Sequence, residues 1–250
     1  MNKPVFRLGL ALNYGIDASG VERALEAGMN YLYYTAMRTS HTLPVLKKAF
    51  AARRDNMVVA TGPMMGFFEG NVRRGAESIL RKLGTDYIDV FLLPWLGVGS
   101  SFRPAVVDAM VKLRDEGKVK AIGVSIHDRE RAGRLAEDSV LDLLMIRYNA
   151  AHPGAERDIF PHLARRQPNV VAYTATSWRK LLRAPSGWDG PVMSAGDCYR
   201  FCLSSPSVDL VLTGPKNAEE LDANLRALDK GPLTAEEDAW IRRFGHAVHG

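Results

Sequence analysis

Cysteine is scarce in this chain, with two in 250 residues, Cys198 and Cys202. One pair spaced four apart cannot build a disulfide framework, an iron–sulfur cluster or a thiolate zinc site; on a helix it is ordinary same-face packing. Reduced thiols are expected, and with them a cytoplasmic protein. No apolar run approaches the roughly 18 residues of a membrane span, so no membrane segment is expected. The opening stretch, Met1-Asn2-Lys3-Pro4-Val5-Phe6, has one lysine and no apolar core, and does not read as a secretory signal. Missing too is any basic block interleaved with aromatics. The net charge is +5, but its arginine pairs (53–54, 73–74, 165–166, 242–243) are scattered over helix ends and surfaces. Nucleic acid is therefore not an expected partner, whereas a local site for a phosphate-bearing small molecule is. No His and carboxylate spacing suits a metal triad, so no metal site is expected. Nothing in the sequence speaks to oligomeric state.

What the chain does have is regular alternation. Apolar residues at 46% and charged residues at 24% are globular proportions, and 250 residues fit one α/β barrel. Strands are expected at 7–12, 30–35, 57–62, 87–93, 119–125, 141–148, 169–174 and 209–213. Helices are expected between them at 18–27, 43–53, 72–83, 104–116, 128–137, 155–166, 195–203 and 218–228, with a last one at 235–246. Asp17, Asn71 and Asp128 stand as helix N-caps, and Gly28, Gly84 and Gly117 as stops. Eight strand–helix units without a linker imply an α/β fold, a single (β/α)8 TIM barrel over residues 1–250. The turn-rich stretch 183–191 follows the seventh strand, on the face where such barrels carry their working loops.

Three segments then carry a family resemblance. Leu83-Gly84-Thr85-Asp86-Tyr87-Ile88-Asp89-Val90 and the run from Leu113 to Ser125, with Gly117-Lys118-Val119 and Ile122-Gly123-Val124-Ser125, resemble the corresponding runs of aldo-keto reductases. Gly214-Pro215-Lys216-Asn217-Ala218-Glu219-Glu220, continuing to Asn224, is similar to the segment that holds the adenosine 2′-phosphate end of NADPH. The resemblance spans nearly the whole chain. It implies an NADP(H)-linked oxidoreductase acting on a small carbonyl or alcohol. It also implies a cofactor site made of Ser125, Tyr173, Thr174, Thr176, Trp178, Lys216, Asn217, Glu220 and Asn224. Physical chemistry agrees at one point: a helix beginning near Asn217 offers N–H groups and a positive dipole end to an anion, and Lys216 adds a charge there. Lys216 and Asn224 read equally as solvated helix residues when taken singly.

The nicotinamide half departs from the family. Ile126 follows Ser125 where an asparagine is usual, and Met145 stands for a glutamine. The catalytic tetrad departs entirely. In Gly28-Met29-Asn30-Tyr31-Leu32-Tyr33-Tyr34-Thr35 the family aspartate is Tyr33; the family tyrosine, lysine and histidine align with Arg38, Gly62 and Pro94, and Trp95 keeps the register. Two readings follow. One is a pseudoreductase that keeps nucleotide or metabolite binding. The other is rebuilt chemistry, with Tyr33 as proton donor in the space left by Gly62 and with Arg38, Arg147 or His127 as its polar partner. Tyr33 and Tyr34 are equally readable as fillers of the barrel interior. His152 in the loop after the sixth strand is a weaker candidate.

Overall fold

In the computed structural model, which describes residues 3–63, 68–96 and 102–249, eight parallel strands close into a barrel in sequence order. They are β1 (Leu8–Ala11), β2 (Tyr31–Tyr33), β3 (Val58–Thr61), β4 (Ile88–Leu96), β5 (Val119–Ile126), β6 (Leu143–Arg147), β7 (Asn169–Tyr173) and β8 (Leu210–Thr213). Helices α1 (Ala18–Glu26), α2 (Leu43–Arg53), α3 (Glu69–Leu83), α4 (Pro104–Asp115), α5 (Arg129–Glu137), α6 (Ala155–Asp158), α7 (Ala195–Ser204) and α8 (Ala218–Leu228) alternate with them, and α9 (Ala235–His249) follows. The (β/α)8 barrel of the sequence reading is therefore the fold. Among the described residues no helix is long and apolar enough to cross a membrane.

Strand alternation divides the core in two. Tyr31, Val58, Ala60, Val90, Leu92, Ala121, Leu143, Met145, Val171, Leu210 and Leu212 fill the barrel, while their strand neighbours (Leu32, Val59, Phe91, Leu144) face the helices in the larger cluster. Bulky side chains plug the lower interior, so any site must sit at the C-terminal mouth. The opposite end is structural. Asp89 is fully buried there, 2.7 Å from both Lys3 Nζ and Arg54 Nη1, and accepts from the Val59 N–H at 3.0 Å.

Most local signals act as read. Asp17 accepts from the Gly20 N–H and Asp128 from the Arg131 N–H. Gly28, Gly84 and Gly117 end their helices at φ of +87°, +68° and +74°, conformations that favour glycine. Two expectations are corrected. Helix α3 starts one turn early, with Phe68 as its N-cap, and Asn71 lies inside the first turn accepting from Arg74 Nη2. The helix expected over 155–166 breaks after Asp158 into a 3-10 segment, Phe160–Arg165, because Pro161 has no N–H to continue the α-helical ladder.

Candidate functional site

A cleft of about 500 Å3 opens at the C-terminal mouth. It begins over the barrel interior at Ala11, Tyr33, Met145, Tyr173 and Leu212, and Tyr14 from the loop after β1 lines it too. From there it runs along the loop after β7 (Thr174, Thr176, Trp178, Arg179) and past the start of α7. It ends at Gly214, Pro215, Lys216 and the α8 residues Glu220 and Asn224. Closure of the barrel puts β1 beside β8, so loops from both ends of the chain share this wall.

The loop after β7 has an unusual backbone. Thr174, Ser177, Trp178 and Arg179 all have left-handed φ, between +48° and +68°. None is glycine, and each such residue costs on the order of 1 kcal/mol. The conformation is held from below by Asn149, buried after β6, whose Nδ2 donates to the Thr174 carbonyl at 2.8 Å and whose Oδ1 accepts from the His152 N–H at 2.9 Å. Inside the loop, Ser177 N–H donates to the Thr174 carbonyl and Leu181 N–H to the Thr176 carbonyl. Trp178, 66% exposed, stands on the rim of the cleft rather than in its floor.

At the far end, Asn217 caps α8 by accepting from the Glu220 N–H at 2.8 Å. Glu220 folds back so that its Oε2 accepts from the Lys216 N–H at 2.9 Å, while its Oε1 lies 3.9 Å from Arg179 Nη1. Asn224 is 6% exposed and lines the cleft; its Nδ2 donates to Thr213 Oγ1 at 3.1 Å, which donates to the Tyr199 hydroxyl at 2.9 Å. Its Oδ1 accepts no hydrogen bond among the described residues. A nearly buried acceptor on a cleft wall fits the amino group of a nucleotide base. Seven of the nine residues expected to bind the cofactor thus line one cleft. Ser125 and Asn217 do not: Ser125 is buried at the end of β5 beside Tyr173, and Asn217 is spent on the cap.

The expected catalytic residues are less united. Tyr33 closes β2 with its side chain at the edge of the inner cluster and in the cleft wall. Burial, and then the neighbouring Tyr14, push its phenol up to about 12, so it is protonated at neutral pH. The expectation for Tyr33 is hydrogen-bond reach of Arg38, Arg147 or His127, directly or through one water; among the described residues its hydroxyl makes no direct hydrogen bond to any of them, while it does face the cleft. Arg38 is exposed on the loop after β2, at φ +58°, and is not part of the cleft wall. Arg147 and His127 gather instead around Tyr173, whose hydroxyl lies 2.9 Å from His127 Nε2 and 3.1 Å from Nδ1. Burial raises the Tyr173 phenol to about 12, against the lowering effects of Ser125 and Arg147. Burial, then Arg147, lowers the His127 imidazole and so favours its neutral form. His152 turns away to α9, where its ring packs 4.7 Å from that of His249.

Gly62 also corrects its expectation. A Cβ at this position would lie 1.8 Å from the Leu92 carbonyl oxygen, so the absent side chain leaves no space for Tyr33. The β4 backbone occupies it. One step further along β4, Pro94 withholds a donor, Trp95 takes φ +54°, and the pairing with β5 shifts register between Leu93 and Leu96. The departures at 62 and 94 thus fall on opposite edges of the same strand, β4: one against β3, the other in the pairing with β5. Tyr14 and Arg179 were not foreseen. Both lie in loops that reach the cleft only through barrel closure.

Among the described residues, no group of three His, Cys, Asp or Glu could hold a metal ion. Cys198 and Cys202 are free and buried in α7.

Known proteins agree with this architecture. The holo form of aldo-keto reductase AKR11C1 from Bacillus halodurans superposes with a TM-score of 0.79 over 96% of this chain and 92% of that one, at 22% identity, a likeness of fold. The methylglyoxal reductase YeaE of Escherichia coli K12 is 33% identical over 110 residues, 43% of this chain and 38% of the relative. An NADH-specific methylglyoxal reductase of the same organism is 28% identical over 93 residues, 36% of this chain and 28% of the relative. The matches span well under half of either curated relative. The model of the aldo/keto reductase family covers residues 12–181, more than half of the chain. With that match, the closed barrel and the shared segments together, the chain belongs to the aldo/keto reductase family.

Proposed function

We propose that this protein is a nicotinamide-dinucleotide-linked oxidoreductase of small carbonyl or alcohol substrates with a non-standard active site. The cleft carries the reading, because seven of the nine residues that the resemblance assigns to the dinucleotide come together in its wall. Tyr173 and Met145 would flank the nicotinamide, Thr174 and Thr176 the pyrophosphate, and Asn224 the base. The dinucleotide, when bound, supplies or takes up the hydride. The proton falls to a phenol at the mouth. Tyr33, protonated at neutral pH and facing the cleft, is the proposed donor. Arg147 and His127 act on Tyr173 and the carbonyl side of the mouth.

The two forms of the dinucleotide are distinguished at Lys216. Lys216 and the N-terminus of α8 argue by charge for NADP(H), the form the resemblance implies. Glu220, in the same turn, argues against it.

A second reading, a pseudoreductase that binds a nucleotide without turnover, is favoured by one observation. Among the described residues the Tyr33 hydroxyl bonds to no cation, and a side chain at position 62 would run into the Leu92 carbonyl. Oxidation of NADH and NADPH with methylglyoxal and other small aldehydes separates the two, since relatives in the family reduce methylglyoxal by name. Turnover supports the oxidoreductase. Dinucleotide binding without turnover supports the pseudoreductase.

A further inference from the structure

The first turn of α8 carries two carboxylates, Glu219 and Glu220, immediately after the lysine that would attract a phosphate. Glu220 is the one that matters, because it lines the cleft together with Lys216 and Asn224. Its position is fixed from two sides. The Lys216 N–H donates to Oε2 at 2.9 Å, and its own N–H is held by Asn217 Oδ1 at 2.8 Å. One of the backbone donors that an incoming anion would use is thereby already bonded to an anion. The dipole of α8 is likewise opposed in its first turn by two side-chain charges. Of the cations nearby, Arg179 lies 3.9 Å from Glu220 Oε1 and faces this carboxylate first.

A carboxylate held in this way is a good acceptor for hydroxyl donors and a poor neighbour for a second anion. Dinucleotide sites of another fold show the same chemistry: an acidic side chain takes the ribose 2′-hydroxyl of NAD, and an arginine accommodates the 2′-phosphate of NADP. We infer that Glu220 makes this cleft select the dinucleotide with a free adenosine 2′-hydroxyl, NAD(H), over its 2′-phosphorylated form. The inference rests on the reading of the cleft as a dinucleotide site and settles the balance between Lys216 and Glu220 left by that reading.

The test is binding. Quenching of tryptophan fluorescence (Trp178 stands on the cleft rim) or calorimetry gives Kd for NADH and NADPH with the wild-type chain, Glu220→Gln and Glu220→Arg. Glutamine keeps an acceptor for the Lys216 N–H and removes the charge, so the cap survives; circular dichroism checks the fold of each variant. Wild type is expected to bind NADH at least about tenfold more tightly than NADPH, a difference of about 1.4 kcal/mol. Glu220→Gln should bring the ratio close to one and Glu220→Arg should reverse it. Tighter NADPH binding by the wild type, or a ratio unmoved by either substitution, overturns the role of Glu220 while leaving the cleft a dinucleotide site. Failure of both nucleotides to bind at millimolar concentration overturns the cleft reading and this inference with it.

Discussion

The phenol of Tyr33 has an oxygen that makes no hydrogen bond to any described residue, a ring at the edge of the inner core, and an open cleft in front of it. Removing that oxygen costs no protein hydrogen bond, so Tyr33→Phe should keep stability within about 0.5 kcal/mol of wild type. In the proposed chemistry the same change removes kcat and leaves dinucleotide affinity unaltered, because only proton transfer in the transition state is lost. Steady-state turnover of an aldehyde alongside a binding titration reads both quantities. Undiminished kcat would take Tyr33 out of the mechanism. The neighbouring departure behaves differently. Gly62→Lys restores the family residue but drives a Cβ into the Leu92 carbonyl. It should destabilise the protein by about 2 kcal/mol, lowering Tm by roughly 4–8 °C, without creating reductase activity. An unchanged Tm would show that β3 and β4 adjust at no cost.

Among the elements, α7 and α9 are joined by one buried guanidinium. Arg200, 3% exposed, donates to the carbonyls of Gly231 and Pro232 and clamps both oxygens of Glu237 at 2.8 Å. The pairing, then the Thr234 N–H, hold the Glu237 carboxyl down to about 2 from an ordinary 4.5. The folded value lies below the unfolded one. Its contribution is therefore complete above about pH 5 and disappears as pH falls toward 2. Chemical denaturation of wild type and Glu237→Gln across this range should show wild type the more stable at neutral pH, with the gap closing in acid. A gap independent of pH would deny the pairing. The same elements show how far local signals reach. The bounds of α8 follow from its amphipathic pattern and its Asn217 cap, since capping is decided within a few residues. Asn71 misled because a capping residue in a first turn has the composition of an N-cap. The break at Pro161 overrode an otherwise amphipathic pattern.

At the scale of the whole molecule, ring closure makes the cleft. Residues near 14, 33, 175 and 220 become neighbours only because the barrel closes, with β1 paired to β2 and β8 and β8 to β7. The long wall of the cleft was nonetheless legible, because Tyr173, Thr174, Lys216 and Asn224, which line it, sit in contiguous segments. The catalytic partners were not. Which side chains meet Tyr33 depends on barrel closure and on the Gly62–Leu92 contact, neither of which is written locally. Hence Arg147 and His127, reasonable by position, attend Tyr173. A dinucleotide lying along this cleft is the central proposal, and a crystal soaked with NADH tests it most directly. The predicted density runs from Tyr173 and Met145, past Thr174 and Thr176, to the ribose at Glu220 and the base at Asn224. A well-ordered nucleotide bound elsewhere, or an empty cleft at a concentration of about 10 mM, far above an ordinary dissociation constant, would contradict it.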